Sequence, residues 1–77
     1  MAANVFVGGI QDETLVFDRA IGHLNVFVAV AVTFALSLDK GENYLRLPEG
    51  FHSFPIGPVY EVWVKADGEW SMIAIQA

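Results

Sequence analysis

The run Val26-Phe27-Val28-Ala29-Val30-Ala31-Val32-Thr33-Phe34-Ala35-Leu36-Ser37-Leu38 decides the fold class. Val26, Val28, Val30, Val32, Phe34, Leu36 and Leu38 occupy every second position without a miss, which is the period of a strand and not the roughly 3.6 of a helix. The interleaved Asn25, Phe27, Ala29, Ala31, Thr33, Ala35 and Ser37 are mostly small and partly polar. Such a strand has one bulky face and one that a neighbouring sheet can approach closely. At roughly 3.3 Å per residue, residues 26–38 would extend about 43 Å, more than twice the common strand length. The strand is therefore expected to bend, bulge or pass between two sheets or two subunits.

A rival reading starts from the same stretch. Residues 20–38 contain no charged side chain and are long enough for a marginal membrane-crossing helix. A lipid-facing helix has no reason to alternate, however, and the β-branched run with His23 and Asn25 near one end argues against it. A small single-span membrane protein is carried as an alternative, and the leading reading has no membrane partner.

Working outward, Asp39-Lys40-Gly41-Glu42 has turn composition, and residues 43–47 resume alternation with Leu45 and Leu47 on one side and Tyr44 and Arg46 on the other. This reads as a hairpin return. Pro48-Glu49-Gly50 breaks the chain, and residues 51–56 form a short apolar segment that Pro55 confines to an edge or an irregular path. The clearest local signal is a C-terminal hairpin, residues 59–65 and 70–76 around Asp67-Gly68, a dipeptide favoured where both turn residues need positive φ. That register sets Lys65 opposite Trp70 and Trp63 opposite Met72. It sends Tyr60, Val62, Val64, Ser71, Ile73 and Ile75 to the core and leaves Trp63, Trp70 and Met72 on an outer face.

Residues 4–7 and 14–18 are two short β-prone pieces split by Gly8-Gly9 and Gln11-Asp12-Glu13. They pair within the domain as edge strands, or the first twenty residues are an arm that adds to a neighbour's sheet. The whole reads as one all-β domain over residues 1–77: a small antiparallel β-sandwich or barrel of five to six short strands, with an N-terminal extended arm over 1–20.

Composition points to association. Of 77 residues, 55% are hydrophobic and seven more are glycine, a high apolar share for so short a chain. A domain of this size buries only about 60–65% of the surface of its unfolded chain, so apolar surface stays exposed unless another chain covers it. The net charge of −5 and the dispersed Lys40, Arg46 and Lys65 disfavour nucleic acid as a partner. With no cysteine there is neither a disulfide framework nor a thiolate zinc site.

Little in the sequence points to catalytic or metal chemistry. His23 and His52 lie far apart without a third nitrogen ligand, and Asp39-Lys40-Gly41-Glu42-Asn43 lacks the spacing of a twelve-residue calcium loop and holds a lysine. Ser37, Ser53 and Ser71 stand in no nucleophile-elbow context, and Gly8-Gly9 is not part of a phosphate-binding fingerprint. The reading is non-enzymatic, with no cofactor and no metal. Trp63, Trp70 and Tyr44 are candidates for stacking on a sugar ring.

The run 45–56, Leu-Arg-Leu-Pro-Glu-Gly-Phe-His-Ser-Phe-Pro-Ile, followed by the Val- and Trp-rich residues 59–71, resembles small β-domains of tailed-phage virion proteins. The resemblance implies a capsid decoration or cement protein, usually a trimer on the outer shell that bridges neighbouring capsomers. The partners it implies are the chain itself and a major capsid protein, at the virion surface after a stage in the host cytoplasm. Candidate interface residues are Trp63, Trp70, Met72, Phe27, Val5 and Phe6. The alternative of a carbohydrate- or receptor-binding module uses the exposed aromatics.

Overall fold

Two long strands organise the molecule. In the computed structural model, which describes residues 4–77 and side chains from Val7 onward, the strands are β1 (Asn4–Gly9), β2 (Glu13–Val28), β3 (Phe34–Ser37), β4 (Leu45–Leu47), β5 (Gly50–Ala66) and β6 (Trp70–Gln76). β2 and β5 have 16 and 17 residues. All six join one antiparallel sheet in the order β1-β6-β2-β5-β3-β4. The expected all-β, antiparallel architecture of five to six strands stands, with six strands and with β2 and β5 long instead of short. Among the described residues no helix is long and apolar enough to cross a membrane.

The two long strands bend together. Their register runs from Glu13 opposite Val64 to Val16 opposite Glu61, slips, passes through Ile21 opposite Val59, slips again, and resumes from His23 opposite Pro55 to Val28 opposite Gly50. On β5 the slip coincides with Gly57 and Pro58, where a proline without an N–H removes a ladder bond and a glycine permits the kink. Residues 51–56 and 59–65, read from sequence as separate segments, are thus the two limbs of one bent strand. Ile21 also pairs with Gln76 of β6 and is 1% exposed, which makes it the buried joint of the bend.

The bend divides the sheet. One half holds β1, β6, residues 21–28 of β2 and 50–59 of β5; the other holds residues 13–16 of β2, 61–66 of β5, β3 and β4. The core lies between them, built from Leu24, Val26, Val28, Met72 and Ala74 on one side and Leu15, Val62, Val64, Phe34 and Leu36 on the other. Full burial of such an aliphatic side chain stabilises the fold by about 1.5–3 kcal/mol. Trp70 reaches across from β6 to Phe34 of β3, ring centroid to ring centroid 5.7 Å. Its Nε1–H donates to the Gln11 carbonyl at 3.2 Å, so the polar end of this buried ring is satisfied.

Two expectations are corrected and one open choice is decided. The strand read over 26–38 ends at Val28 and restarts at Phe34. Between them Ala31 takes φ 65, and the turn is captured by distant acceptors: Ala31 N–H by Glu49 Oε2 at 3.0 Å, Thr33 N–H by Asp67 Oδ1 at 2.8 Å and Ala29 N–H by the Glu69 carbonyl at 3.2 Å. Alternation continues through the turn in the sequence because Val30 simply points to solvent, 80% exposed. Hydropathy alone carries no trace of partners that lie so far along the chain.

The second correction concerns the C-terminal hairpin, which does not form. β6 pairs with β1 and β2, not with β5. Asp67 turns the chain by bonding Thr33 twice, through its own N–H to the Thr33 carbonyl at 3.3 Å and through its carboxylate to the Thr33 N–H. Gly68 is required by close approach and not by positive φ: a Cβ there would lie 2.6 Å from a Val32 methyl.

The open choice concerns the first twenty residues. β1 is an edge strand of this chain's own sheet, Asn4 opposite Ile75 and Gly9 opposite Trp70, and residues 13–20 belong to β2. Of the two readings, pairing within the domain as an edge strand is the one seen from Asn4 onward, because β6, released from β5, offers β1 a free ladder.

Candidate functional site

β6 takes its facing from β2. Trp70, Met72 and Ala74 stand opposite Val28, Val26 and Leu24, all inward positions of β2, so the face expected to be outer is inner. Trp70 and Met72 are each 1% exposed and belong to the core. On β5 the expected facing holds for Val62 and Val64, both buried, whereas Tyr60, beside the bend, is exposed.

The true outer face of the first half carries Phe27 (48% exposed), Phe51 (66% exposed) and Ile73. Phe27 is opposite Phe51 on β5 and Ser71 on β6, while Asn25 is opposite Ile73 and Ser53. Asn25, Phe27, Phe51, Ser71, Met72 and Ile73 line a shallow depression of about 150 Å³ with no charged side chain in its wall. Beside it His23 Nε2 and Ser53 Oγ are hydrogen-bonded at 2.8 Å. Among the described residues no carboxylate bonds His23, so the group that orients the base in a nucleophilic triad is missing from this pair.

Of the interface residues expected from sequence, Phe27 is exposed on this apolar face, and Met72 reaches the wall of the depression while staying 1% exposed. Val5 and Phe6 sit on β1 at the register positions opposite Ala74 and Ile73, with side chains outside the described residues. Phe51 and Ile73 were missed. Phe51 leads the alternation Phe51, Ser53, Pro55 on the outer face of β5, a signal obscured by treating Pro55 as the mark of an irregular segment.

Trp63 belongs to a second surface, the outer face of the other half. It stands opposite Thr14 and Ser37 and, with Tyr44, Asp12, Glu13 and Thr14, lines a cleft of about 200 Å³. Its Nε1–H donates to Glu61 Oε1 at 3.3 Å, and Glu61 pairs with Lys40 at 3.7 Å. Lys65 Nζ lies 4.4 Å above the Tyr44 ring centroid, an exposed cation–π contact of about 0.5–1 kcal/mol. Of the three aromatics named for sugar stacking, Trp63 and Tyr44 come together, and Trp70 is withdrawn into the core.

The loop beneath these rings is a closed hydrogen-bond system. Asp39 Oδ1 accepts from the Ser37 hydroxyl at 2.6 Å and the Asn43 N–H at 2.9 Å, and Oδ2 accepts from Asn43 Nδ2 at 2.7 Å. Ser37, 1% exposed, in turn accepts from the Gly41 N–H at 2.8 Å. The Ser37 hydroxyl, followed by the Asn43 side chain, lowers the Asp39 pKa to about 2. Gly41, at φ 86, passes under Trp63 so closely that a Cβ would stand 2.8 Å from the ring. The carboxylate is thus turned into its own loop, and among the described residues no three His, Asp or Glu side chains converge as a metal site would need.

No protein-family model, curated protein or solved structure matches the chain.

Proposed function

We propose that this chain is a non-enzymatic structural protein that works by association, through the outer face of Phe27, Phe51 and Ile73, with copies of itself and with a larger protein shell. The observation that carries the reading is that uncharged apolar face on an exposed sheet surface. Asn25 and Ser71 are the polar side chains of its wall, and covering two phenylalanines and an isoleucine recovers several kcal/mol of transfer free energy. A chain of net charge −5 meets another copy with the least repulsion through a patch that carries none of that charge.

The resemblance of residues 45–56 and 59–71 to small tailed-phage β-domains supports the more specific role of a decoration or cement protein. The oligomer is then a trimer, which places the apolar faces around one axis. The test is mass by light scattering together with co-sedimentation on shells of a capsid protein encoded beside this one. The expected result is a multiple of 8.4 kDa and shell binding, both lost in Phe51→Asp with the β-rich spectrum retained. A wild-type mass of one chain with no shell binding overturns the proposal.

A further inference from the structure

The outer face of the second half holds a polar cleft that association through Phe27 leaves unused. Arg46, Ala35 and Lys65 stand abreast on β4, β3 and β5, and the alanine leaves a gap between two long cationic side chains. Asp12 and Asp67 close the same cleft, whose volume is about 390 Å³. Asp12 also borders the adjoining 200 Å³ cleft of Tyr44 and Trp63, so the two form one trough.

Opposite charges sharing a small cleft ordinarily pair, but among the described residues no ion pair joins these four; the ion pair found is Lys40 with Glu61. Three of the four are held by other partners. Asp67 Oδ1 accepts from the Thr33 N–H at 2.8 Å and Asp12 Oδ1 from the Ala66 N–H at 2.9 Å, which fixes both carboxylates with their second oxygens to spare. Lys65 is drawn over Tyr44. Donors and acceptors are therefore held in one cavity without satisfying each other.

A ligand for such a cavity must donate to the carboxylates and accept from the cations at once. A simple anion would face Asp12 and Asp67, and a simple cation would face Arg46 and Lys65. Adjacent hydroxyl groups do both, since each is a donor and an acceptor. The C–H face of the ring that bears them suits the apolar surfaces of Tyr44 and Trp63. We infer that the trough is a binding site for a neutral oligosaccharide, with Arg46, Lys65, Asp12 and Asp67 bonding hydroxyls and Tyr44 and Trp63 packing on a neighbouring ring.

The experiment is an amide-resolved NMR titration of the full chain with neutral tetrasaccharides of gluco, manno, galacto and N-acetylglucosamine type, up to millimolar concentration. Saturable shifts are expected at Thr33, Tyr44, Lys65 and the Trp63 indole N–H with at least one of them. Asp67→Asn keeps an acceptor for the Thr33 N–H, and Arg46→Met keeps the aliphatic stem. Each removes a charged hydrogen-bonding group and is expected to weaken binding by about tenfold or more. Phe51→Asp, on the other half, leaves binding unchanged and so separates this site from the association face. Absence of saturable shifts with all four sugars overturns the inference. So do shifts indifferent to both trough variants, or equal shifts with glutamate or inorganic phosphate.

Discussion

Trp70 of β6 and Phe34 of β3 hold their ring centroids 5.7 Å apart at an interplanar angle of 59°, although β2 and β5 lie between their strands in the sheet. The contact exists because the sheet curls back on itself, and it is sealed from outside by Gly9, where a Cβ would stand 3.0 Å from the indole.

Removing that ring opens the core at the point where the two halves meet. Trp70→Ala is expected to cost about 3–5 kcal/mol, the range for a large buried aromatic, which a marginal domain of this size does not survive well. Trp63→Ala, which removes a half-buried ring from the outer face, should cost clearly less. Urea unfolding of both variants checks the order; equal losses would mean that Trp70 does not bridge the halves.

Gly68 and Val32 make a paired test of the Asp67 turn. Gly68→Ala places a methyl where a Val32 methyl already lies, 2.6 Å away, an overpacking expected to cost about 1–3 kcal/mol. Val32→Ala in the same chain should restore most of the loss, a coupling that a double-mutant cycle measures. Additive losses would place the strain in the backbone instead.

Asp39 gives a pH signature. Its folded pKa, about 2, lies below the ordinary 3.8, so its contribution to stability is fully present above 3.8 and is lost as pH falls toward 2. Asp39→Asn should flatten the stability profile across that window while leaving the slope above it unchanged. Thermal midpoints at a series of acidic pH values would expose a profile of unchanged steepness, which contradicts the assignment.

Salt distinguishes the apolar face from an ionic one. Copies of net charge −5 repel, and the wall of the Phe27–Phe51 depression is uncharged, so added salt screens repulsion without weakening the contact. Self-association measured by sedimentation is expected to tighten from low to high salt. Dissociation by salt would point to ion pairs at the contact.

The strand content was legible wherever alternation was local. The return of Leu45 and Leu47 beside Leu36 and Phe34 came out as read, because β3 and β4 form a true hairpin. The break at Ala31 and the crossing of β6 to the other half did not. Both depend on Glu49, Asp67 and Glu69 meeting the 29–33 turn, and period-two hydropathy is blind to side-chain capture at that separation. The same error turned β6 over: a strand with apolar residues on both faces, Trp70 and Met72 on one and Ile73 and Ile75 on the other, takes its facing from its partner and not from itself. The trough between Arg46 and Lys65 was hidden for a related reason, since cations that looked scattered along the chain are brought abreast by two strand pairings.

The strand order has a consequence in time. Among the described residues, β3 and β4 are the strands adjacent in the sheet that also follow each other in the chain; every other ladder joins segments separated by at least one further strand. The chain must therefore search for most of its pairings across large loops before any core is enclosed, which places its folding in the slow class of non-local β topologies, milliseconds to seconds. During that search the tips of β2 and β6 are without partners, and a high concentration of chains offers each of them the wrong one.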